Sequence, residues 1–529
     1  MTGNISRERS MRENPWRLSV KAIFVAAVVL PPVGLVLLWT RRGPGIIKKL
    51  FGSLGILTLA VVYLVVFFGL RMQLDGGGTP RYLTFSRPEA QADAVERHRE
   101  EQRSAPPVEL PVEPAPAARI PEEAAPAVES AAAKPAPRPA GSEYWTQFRG
   151  PQRDGRYAQM PVRTEWPADG LPLAWKQPVG GGYASFSIAR GRAFTIEQRR
   201  DQEVVAAYDL HSGRELWMDS WPAKFEEIMG GDGPRTTPTW HEGRVYALGA
   251  TGVFRCLDER TGKVIWSRNI LDDSGADNLR WGMAASPLVV DDKVIVLPGG
   301  GDGKSVAAYD RLTGRIVWTA LSDKQAYASP MLVTLAGKRQ ILAVSAKRVM
   351  GLTIEDGTLL WEFPWVTQSD INCAQPVVID DSHFVISSGY GHGAALIEIT
   401  AAGERFEARA VWENIHLKNR FNSSALHEGH LYGLDEGILV CIDTRTGERR
   451  WKGGRYGYGH VLLASGHLFI TSEDGDIVLV KASPEAYREV ASFSAVNGKT
   501  WNVPAMADGY LLVRNATEMA AYKIAPENR

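Results

Sequence analysis

One eleven-residue phrase recurs along the chain and constrains its fold more than any other feature. The phrase first spans 207–217, where it reads Ala-Tyr-Asp-Leu-His-Ser-Gly-Arg-Glu-Leu-Trp, and it returns at 256–266, 308–318 and 441–451. A small residue and an aspartate lie on one strand, Ser/Thr-Gly supplies the turn, and tryptophan closes the return strand. The closing aromatics fall at eight positions, which are 175, 217, 266, 318, 361, 412, 451 and 493.

A second series of short turns alternates with this phrase, beginning at Arg190-Gly191 and ending at Asp508-Gly509. Each unit therefore reads as four antiparallel strands in roughly 45 residues, a period typical of propeller blades. The last unit, 501–524, has three strands, whereas Leu171–Val179 is a lone strand before the first unit. Pairing the two would leave no free sheet edge. We predict an all-β, eight-bladed propeller of four-stranded antiparallel blades over residues 143–529.

The phrase resembles the tryptophan-docking motif of the pyrroloquinoline quinone (PQQ) repeat propellers, and residues 145–525 are similar to that superfamily throughout. The lead-in Trp145–Pro151 and the segment Leu417–Phe421 also resemble bacterial PQQ-like repeat proteins. The superfamily contains quinoprotein alcohol dehydrogenases as well as scaffolds without enzymatic activity. One such scaffold is the propeller lipoprotein of the outer-membrane β-barrel assembly machine. The chain is most similar to this non-catalytic branch.

The dehydrogenase branch has features that this sequence lacks. Those enzymes resemble one another in a vicinal disulfide over the quinone and in a Ca²⁺ held by carboxylate and amide oxygens. The three cysteines here, Cys256, Cys373 and Cys441, are not adjacent, and no calcium set is recognisable. The resemblance therefore implies no PQQ, no Ca²⁺ or other metal site, and no catalytic residues. The alternative is a PQQ-dependent quinoprotein oxidoreductase of the alcohol or sugar dehydrogenase type.

In a propeller, the loops from each outer strand to the next inner strand crowd around one mouth of the central channel. In this chain those loops are rich in aromatic residues and arginine, which are enriched in binding hot spots. The candidate ligand or partner residues are Tyr183, Arg235, Arg280, Trp281, Tyr327, Asn372, Arg420, Phe421, Arg455 and Trp501. Basic residues outnumber acidic ones in these loops, so we expect a protein partner or an anionic small ligand. The competing interpretation is that the aromatic residues only pack between blades.

The N-terminal part of the chain predicts a membrane anchor. Ala22–Trp39 and Leu50–Leu70 carry no charge, and each is long enough to cross a hydrocarbon core of ~30 Å. We predict an N-terminal tail over 1–21 and a two-helix transmembrane hairpin over 22–72, with a kink at Pro31-Pro32. The basic loop 41–49 favours a cytoplasmic position with both tails outside, although arginines in the first tail favour the opposite orientation.

Residues 73–142 are predicted to be a Pro/Ala-rich disordered linker that holds the propeller away from the bilayer. The chain has 60 Lys+Arg against 60 Asp+Glu, and this zero net charge argues against a nucleic-acid partner. We therefore expect a protein-binding scaffold or ligand-binding module of the cell envelope. It would be anchored in the inner membrane with the propeller in the periplasm or otherwise outside the cytoplasm.

Overall fold

A computed structural model describes residues 20–41, 44–74, 78–85, 88–104, 144–227, 229–368, 370–403 and 405–526. The chain divides into two compact units, 1–88 and 89–529, and each is described by itself. The predicted tail, 1–21, lies almost entirely outside the described residues, as does the Pro/Ala-rich stretch 105–143.

The first unit consists of three apolar helices and a short hairpin. Its elements are α1 (Val20–Val29), α2 (Pro31–Thr40), α3 (Ile46–Phe68), β1 (Leu70–Leu74) and β2 (Pro80–Phe85). Ile23 and Ala27 of α1 pack with Ile56 of α3 in a small apolar cluster. The Trp39 indole donates to Ser53 Oγ at 2.9 Å, which fixes the end of α2 against α3.

Only α3 is long and apolar enough to cross a membrane among the described helices, so the predicted pair of transmembrane helices is not confirmed. Proline has no backbone N–H, and its ring clashes with the preceding turn of a helix. The Pro31-Pro32 pair consequently separates two helices of 10 residues each instead of kinking one long helix. Each is about 15 Å long, which is roughly half the thickness of a hydrocarbon core.

The second unit begins with helix α4 (Pro88–Ser104), which the unit includes from Glu89 onward. Strand β2 and helix α4 both lie inside the range 73–142 that was predicted to be a disordered linker. The structure differs from that prediction because Pro/Ala-rich composition begins only after Ser104, whereas 88–104 is rich in residues that favour helices.

The rest of the second unit is a propeller of eight sheets, which confirms the predicted architecture. In blades 1 to 4 the strands are β5 (Ser187–Ala189), β6 (Arg192–Arg199), β7 (Gln202–Asp209), β8 (Glu215–Pro222); β9 (Thr239–His241), β10 (Arg244–Leu248), β11 (Val253–Asp258), β12 (Val264–Asn269); β13 (Leu288–Val290), β14 (Lys293–Val296), β15 (Val306–Asp310), β16 (Ile316–Ala320); β17 (Met331–Leu335), β18 (Lys338–Val344), β19 (Arg348–Leu352) and β20 (Leu359–Pro364). A short helix, α5 (Ile270–Ser274), follows β12.

Blades 5 to 8 continue the pattern, and two of them recruit strands from the beginning of the unit. Their strands are β21 (Val377–Val378), β22 (His383–Ser388), β23 (Gly393–Ala402), β24 (Arg405–Asn414); β25 (Ala425–His427), β26 (His430–Asp435), β27 (Ile438–Asp443), β28 (Arg449–Arg455); β29 (His460–Ala464), β30 (His467–Thr471), β31 (Asp476–Lys481), β32 (Glu489–Ser494), with β3 (Arg156–Tyr157); and β33 (Ala505–Ala507), β34 (Tyr510–Arg514), β35 (Glu518–Lys523), with β4 (Leu173–Pro178).

The recurring phrase joins most blades to the next, since six of the closing tryptophans donate to a carbonyl of the following blade. In the turn, the Asp258 carboxylate accepts hydrogen bonds from the Thr261 N–H and hydroxyl at 2.9 and 2.7 Å. Gly262 has φ +69°, and a Cβ there would meet the Trp217 ring of the preceding blade at 2.5 Å. The Trp217 indole donates to the Glu259 carbonyl in the same turn at 2.8 Å. Glycine is therefore required both for the turn and for the docking of the neighbouring tryptophan.

The ring closes at the predicted place. Strand β4 pairs antiparallel with β35, with Trp175 opposite Ala521, so the first and last parts of the propeller share blade 8. Around the channel, the backbone N–H of one blade donates to a side-chain oxygen of the next. Examples are Thr237 N to Ser286 Oγ and Ser286 N to Ser329 Oγ, both at 2.9 Å.

The segment 144–157, here called the channel plug, fills the channel near one end. The Trp145 carbonyl accepts from Ile188 N in blade 1, and the Arg149 guanidinium donates to the Ser424 carbonyl of blade 6 at 2.9 Å. Arg153 donates to the Pro330 carbonyl of blade 4 at 2.8 Å. Trp145, Arg149 and Arg153 are at most 1% exposed. The plug leads into β3, which pairs with β29 beside the Ser465-Gly466 turn, so it occupies the end opposite the predicted mouth.

Candidate binding site at the propeller mouth

Four of the ten predicted mouth residues form a continuous series of ring contacts that ends at Tyr458. The Arg235 guanidinium lies over the Tyr183 ring at 5.4 Å, and the Tyr183 and Trp501 ring centroids are 5.5 Å apart. Trp501 contacts Phe421 at 4.7 Å, and Phe421 contacts Tyr458 at 5.7 Å. These distances are typical of favourable aromatic and cation–π pairs.

The rest of the mouth continues the series. Arg420 lies over the rings of Tyr390 and Tyr458 at 4.5 and 4.9 Å. Trp281 and Tyr327 are 5.8 Å apart, and Trp281 and Arg235 both border Gly230. We call this set the mouth ring, and it consists of Tyr183, Arg235, Trp281, Tyr327, Tyr390, Arg420, Phe421, Tyr458 and Trp501.

The structure places eight of the ten predicted site residues in the mouth ring or directly against it, Arg280 lying over the Trp281 ring at 5.0 Å. Two predicted residues do not join them. Asn372 is 2% exposed, and its amide donates to the carbonyls of Ser345 and Ala346, so it anchors its own loop. Arg455 is an exposed residue at the end of β28, where it pairs with Ile438.

Sequence reasoning missed Tyr390, Glu436 and Glu473. Tyr390 and Glu436 lie in turns between the second and third strands of blades 5 and 6, and both have positive φ. Such turns open at the same end as the loops from outer to inner strands, and this rule of blade topology was the available signal. Glu473 accepts from the Trp501 indole at 2.9 Å.

The mouth is less positive than the loop sequences predicted. Arg420 pairs with Glu436 at 2.6 Å, and Lys418 pairs with Asp435 at 2.6 Å. Arg235 donates to the carbonyls of Gly231 and Gly233 at 2.6 Å each, and burial lowers its pKa. The carboxylates responsible lie on strands and turns that were not counted with the loops.

The mouth shows none of the features that the resemblance attached to a quinone and its calcium ion. Tyr183, Trp501 and Phe421 contact one another through their rings, so no pair of parallel rings with a gap for a flat cofactor is formed by these three residues. Cys373 stands alone beside Tyr327 and Tyr390, and burial raises its pKa to about 12. Within the described ranges no three His, Cys, Asp or Glu side chains converge on a metal-sized position.

A second concavity lies outside the mouth, between the outer parts of blades 1 and 2. It has a volume of about 460 Å³ and is lined by residues that include Trp221, Arg255, Arg268 and Asp273. Both of its arginines already have a carboxylate partner, because Arg255 meets Asp219 at 2.6 Å and Arg268 meets Asp273 at 3.1 Å. The mouth ring is therefore the better candidate for binding.

Comparison with known proteins agrees with the blade pattern. The family described as "Outer membrane protein assembly factor BamB" matches residues 200–453. This match covers a little under half of the chain and shows that its blades resemble those of this family. Within this family, the chain is 24% identical over 211 residues to the outer membrane protein assembly factor BamB of Bordetella pertussis, a match covering 40% of this chain and 49% of that protein. The chain thus matches about half the length of this relative.

Two further proteins are similar to parts of the chain. The quinohemoprotein alcohol dehydrogenase ADH IIB of Pseudomonas putida is 34% identical over 120 residues, which are 22% of this chain and 17% of that enzyme. The crystal structure of BamB from Moraxella catarrhalis superposes with a TM-score of 0.49 at 16% identity, covering 67% of this chain and 99% of that one.

Proposed function

We propose that this PQQ-like repeat protein is a membrane-anchored scaffold of the cell envelope that binds a protein partner at the mouth ring. The observation that carries this proposal is the ring itself, where half-exposed Tyr183, Phe421 and Trp501 lie in mutual contact. Arg235 lies over Tyr183, and Arg420 lies over the neighbouring ring of Tyr458. Preorganised aromatic side chains lose little conformational entropy when a partner covers them.

The geometry favours a partner that covers the mouth over one that threads the channel. The channel plug closes the opposite end with two buried arginines that bond inner-strand carbonyls. A loop or terminus of a partner protein would therefore rest on the ring. The BamB relatives are outer membrane protein assembly factors, and this similarity supports a role in protein assembly for this chain as well.

The anchor sets the orientation that we propose. With α3 as the crossing helix, the basic residues on its N-terminal side greatly outnumber those just after it. They are Arg7, Arg9, Arg12, Arg17, Lys21, Arg41, Arg42, Lys48 and Lys49. After α3 and before α4 the chain has only Arg71, Arg81 and Arg87. The positive-inside rule then places the propeller outside the cytoplasm. The conflict between tail and loop disappears, because both lie on the cytoplasmic side.

PQQ-dependent oxidation is the second candidate, and short matches to quinoprotein dehydrogenases favour it. Those matches cover only 16% and 17% of the enzymes, so they support this candidate less than the longer BamB matches support the scaffold. Purified protein can be mixed with PQQ and Ca²⁺ and assayed for dye reduction with alcohols. Chelator-sensitive dye reduction would favour the enzyme over the scaffold.

A photo-crosslinking amino acid placed in the full chain in cells tests the scaffold. Phe421 is the mouth position, and Val317, an outward-facing residue on the outer strand β16, is the rim control. We expect a discrete crosslinked protein band from position 421 and none from 317. Crosslinks at 317 alone would assign partner binding to the blade rims and contradict the proposal.

The orientation has its own test. Alkaline phosphatase fused after residue 143 should be active, and a cysteine introduced before α1 should resist a membrane-impermeant maleimide in intact cells. Labelling of that cysteine would restore the predicted two-helix hairpin. An inactive phosphatase fusion would place the propeller in the cytoplasm.

A further inference from the structure

Helix α4 has one face that packs on the propeller and one that faces solvent. Ala92, Val95 and Arg99, spaced three and four residues apart, are at most 8% exposed. Arg97 and Glu100 are exposed on the other face. Residues at this spacing share one side of a helix, so α4 binds the propeller through a single stripe.

One set of contacts joins α4 to blade 8. The Gln91 amide donates to the carbonyls of Val179 and Thr517 at 3.1 and 2.6 Å. Arg99 donates to the Pro178 carbonyl at 2.9 Å and to Gln177 Oε1 at 3.0 Å. Gln177 and Pro178 end strand β4, and Thr517 directly precedes β35. These are the two strands whose pairing closes the ring.

A second set joins the same helix to blade 1. The Arg99 guanidinium lies 3.3 Å from the Glu215 carboxylate, and Gln102 Oε1 accepts from Glu215 N at 3.1 Å. Near the other end of α4, Arg200 pairs with Asp93 at 2.5 Å and with Glu96 at 2.7 Å. The helix therefore spans the junction between the first and last blades.

A buried charge cluster lies under the helix at this junction. The Glu197 side chain is fully buried, and Gly180 N donates to it at 2.5 Å. Burial acts to raise the pKa of Glu197, but Arg199, Arg514 and Arg99 outweigh that effect and hold the pKa at about 2. Arg99 thus supplies part of the positive charge that a buried carboxylate needs, and α4 also covers the cluster from solvent.

We propose that α4 is a clasp that fastens the anchor segment to the closure junction by non-covalent contacts. Its docking changes the role expected for the Pro/Ala-rich residues 105–143. Their N-terminal neighbour Ser104 ends the clasp, and their C-terminal neighbour Tyr144 begins the channel plug. Both neighbours belong to the propeller unit. The chain therefore leaves the propeller unit at Ser104 and re-enters the same unit at Tyr144, so we do not expect residues 105–143 to act as the spacer between anchor and propeller.

Cleavage of the chain within residues 105–143 tests the clasp in the full-length protein. A protease recognition sequence is inserted after Glu123, and an affinity tag is placed at the N-terminus. The protein is purified in detergent, cut to completion and captured immediately through the tag. We expect the propeller fragment to co-elute with the tagged fragment, although no covalent bond joins them. The assay needs no membrane, so its result is independent of the proposed anchor and of the mouth.

Matched variants give the assay its specificity. Arg99→Glu reverses a charge on the docking face, and Arg97→Glu makes the same change on the exposed face. Val95→Asp breaks the contact without touching the charge cluster. We expect co-elution to be retained in Arg97→Glu and lost in both other variants, with the propeller fragment still folded. Separation of the cut wild-type fragments, or co-elution that survives both Arg99→Glu and Val95→Asp, would overturn the proposal.

Discussion

The two ends of the propeller channel are built from the same kinds of side chain. The channel plug uses Trp145, Arg149 and Arg153, and the mouth ring uses aromatic rings with Arg235 and Arg420. In the plug, both guanidiniums are about 1% exposed and donate to backbone carbonyls of several blades. At the mouth, the ring faces remain half-exposed. The comparison teaches that an arginine beside aromatic residues indicates binding where the rings stay accessible, because guanidinium groups form hydrogen bonds within the fold at both ends.

Burial in the plug disfavours the charged form of both arginines. Burial lowers the pKa of Arg149 to about 10 and that of Arg153 to about 9. The Arg153 guanidinium donates hydrogen bonds to the carbonyls of Ser286, Pro287 and Pro330. These carbonyls lie in blades 3 and 4, so one side chain ties two blades to the N-terminal segment. The plug is therefore a structural element, and the mouth is the free end.

The largest expected effect is the loss of a plug arginine. Arg153→Met should lower the free energy of unfolding by about 3 kcal/mol or more, because hydrogen bonds to a charged group contribute roughly 1.5–3 kcal/mol each. Arg153→Lys keeps the charge but not the fork, and we expect an intermediate loss. Urea denaturation of the full chain in detergent measures both. A loss below about 1 kcal/mol in Arg153→Met would show that the plug does not hold the blades together.

His460 lies between the mouth and the channel plug, because it bonds to Trp501 and is near Arg149. We expect it to make the free energy of unfolding depend on pH. Its Nε2 donates to the Trp501 carbonyl at 2.7 Å, and burial, with Arg149 nearby, lowers its pKa to about 4. The unfolded chain takes up this proton near pH 6.5, whereas the folded chain does so only near pH 4. The free energy of unfolding should thus fall by about 3 kcal/mol as the pH drops from 6.5 to 4.

The variant His460→Gln isolates this contribution. Glutamine can donate to the same carbonyl but does not titrate. Its melting temperature should therefore decline less than that of the wild type between pH 6.5 and 4, and the two proteins should differ little in their pH response above pH 7. Parallel decline of both proteins would assign the acid sensitivity to other groups.

Arg235 tests the boundary between the two uses of arginine. It belongs to the mouth ring, yet it donates to two loop carbonyls. Arg235→Met should cost about 1–2 kcal/mol, less than the plug variant and more than an exposed substitution. Thermal unfolding of Arg235→Met, Arg153→Met and a variant with an exposed substitution, measured in parallel, gives the order of the three losses in stability. An Arg235→Met protein as stable as the wild type would move Arg235 to the purely binding side of the comparison.

Sequence predicted the blades well because their determinants are local. Asp258, Thr261 and Gly262 make one turn within five residues, and Trp217 needs only the next copy of that turn. The channel plug was not predicted, because Arg149 and Arg153 find their carbonyls in blades far along the chain. Only the resemblance of the lead-in to related proteins marked that segment. The partners of Arg420 and Lys418 were also missed. Asp435 ends β26 and Glu436 lies in the turn after it, so neither belongs to the loops between blades that were examined for charge.

The clasp could not be read from composition either. Residues 88–104 are mostly polar, and their apolar stripe of Ala92 and Val95 is short. What holds them is a set of charges on distant strands, including Glu215 and Arg200. The first apolar span, Ala22–Trp39, shows a different limit of reading structure from composition. Its length predicted one crossing helix, and in the structure Pro31-Pro32 divides this span into α1 and α2.

The smallest expected effect on stability is at the open end, and there binding should change most. Lys499 lies over the Trp501 ring at 4.0 Å, and Arg280 lies over Trp281. Both side chains lie against mouth rings. Among the described residues, neither donates to a loop carbonyl, whereas Arg235 donates to two. Lys499→Glu with Arg280→Glu should change the unfolding free energy by less than about 0.5 kcal/mol. The same pair should abolish the crosslinked band from position 421 if the partner presents acidic residues, because like charges would then face each other. The neutral pair Lys499→Gln with Arg280→Gln should only weaken the band. A band unchanged by the charge reversal would mean that the partner reads the rings of Phe421 and Trp501 and not the charge beside them.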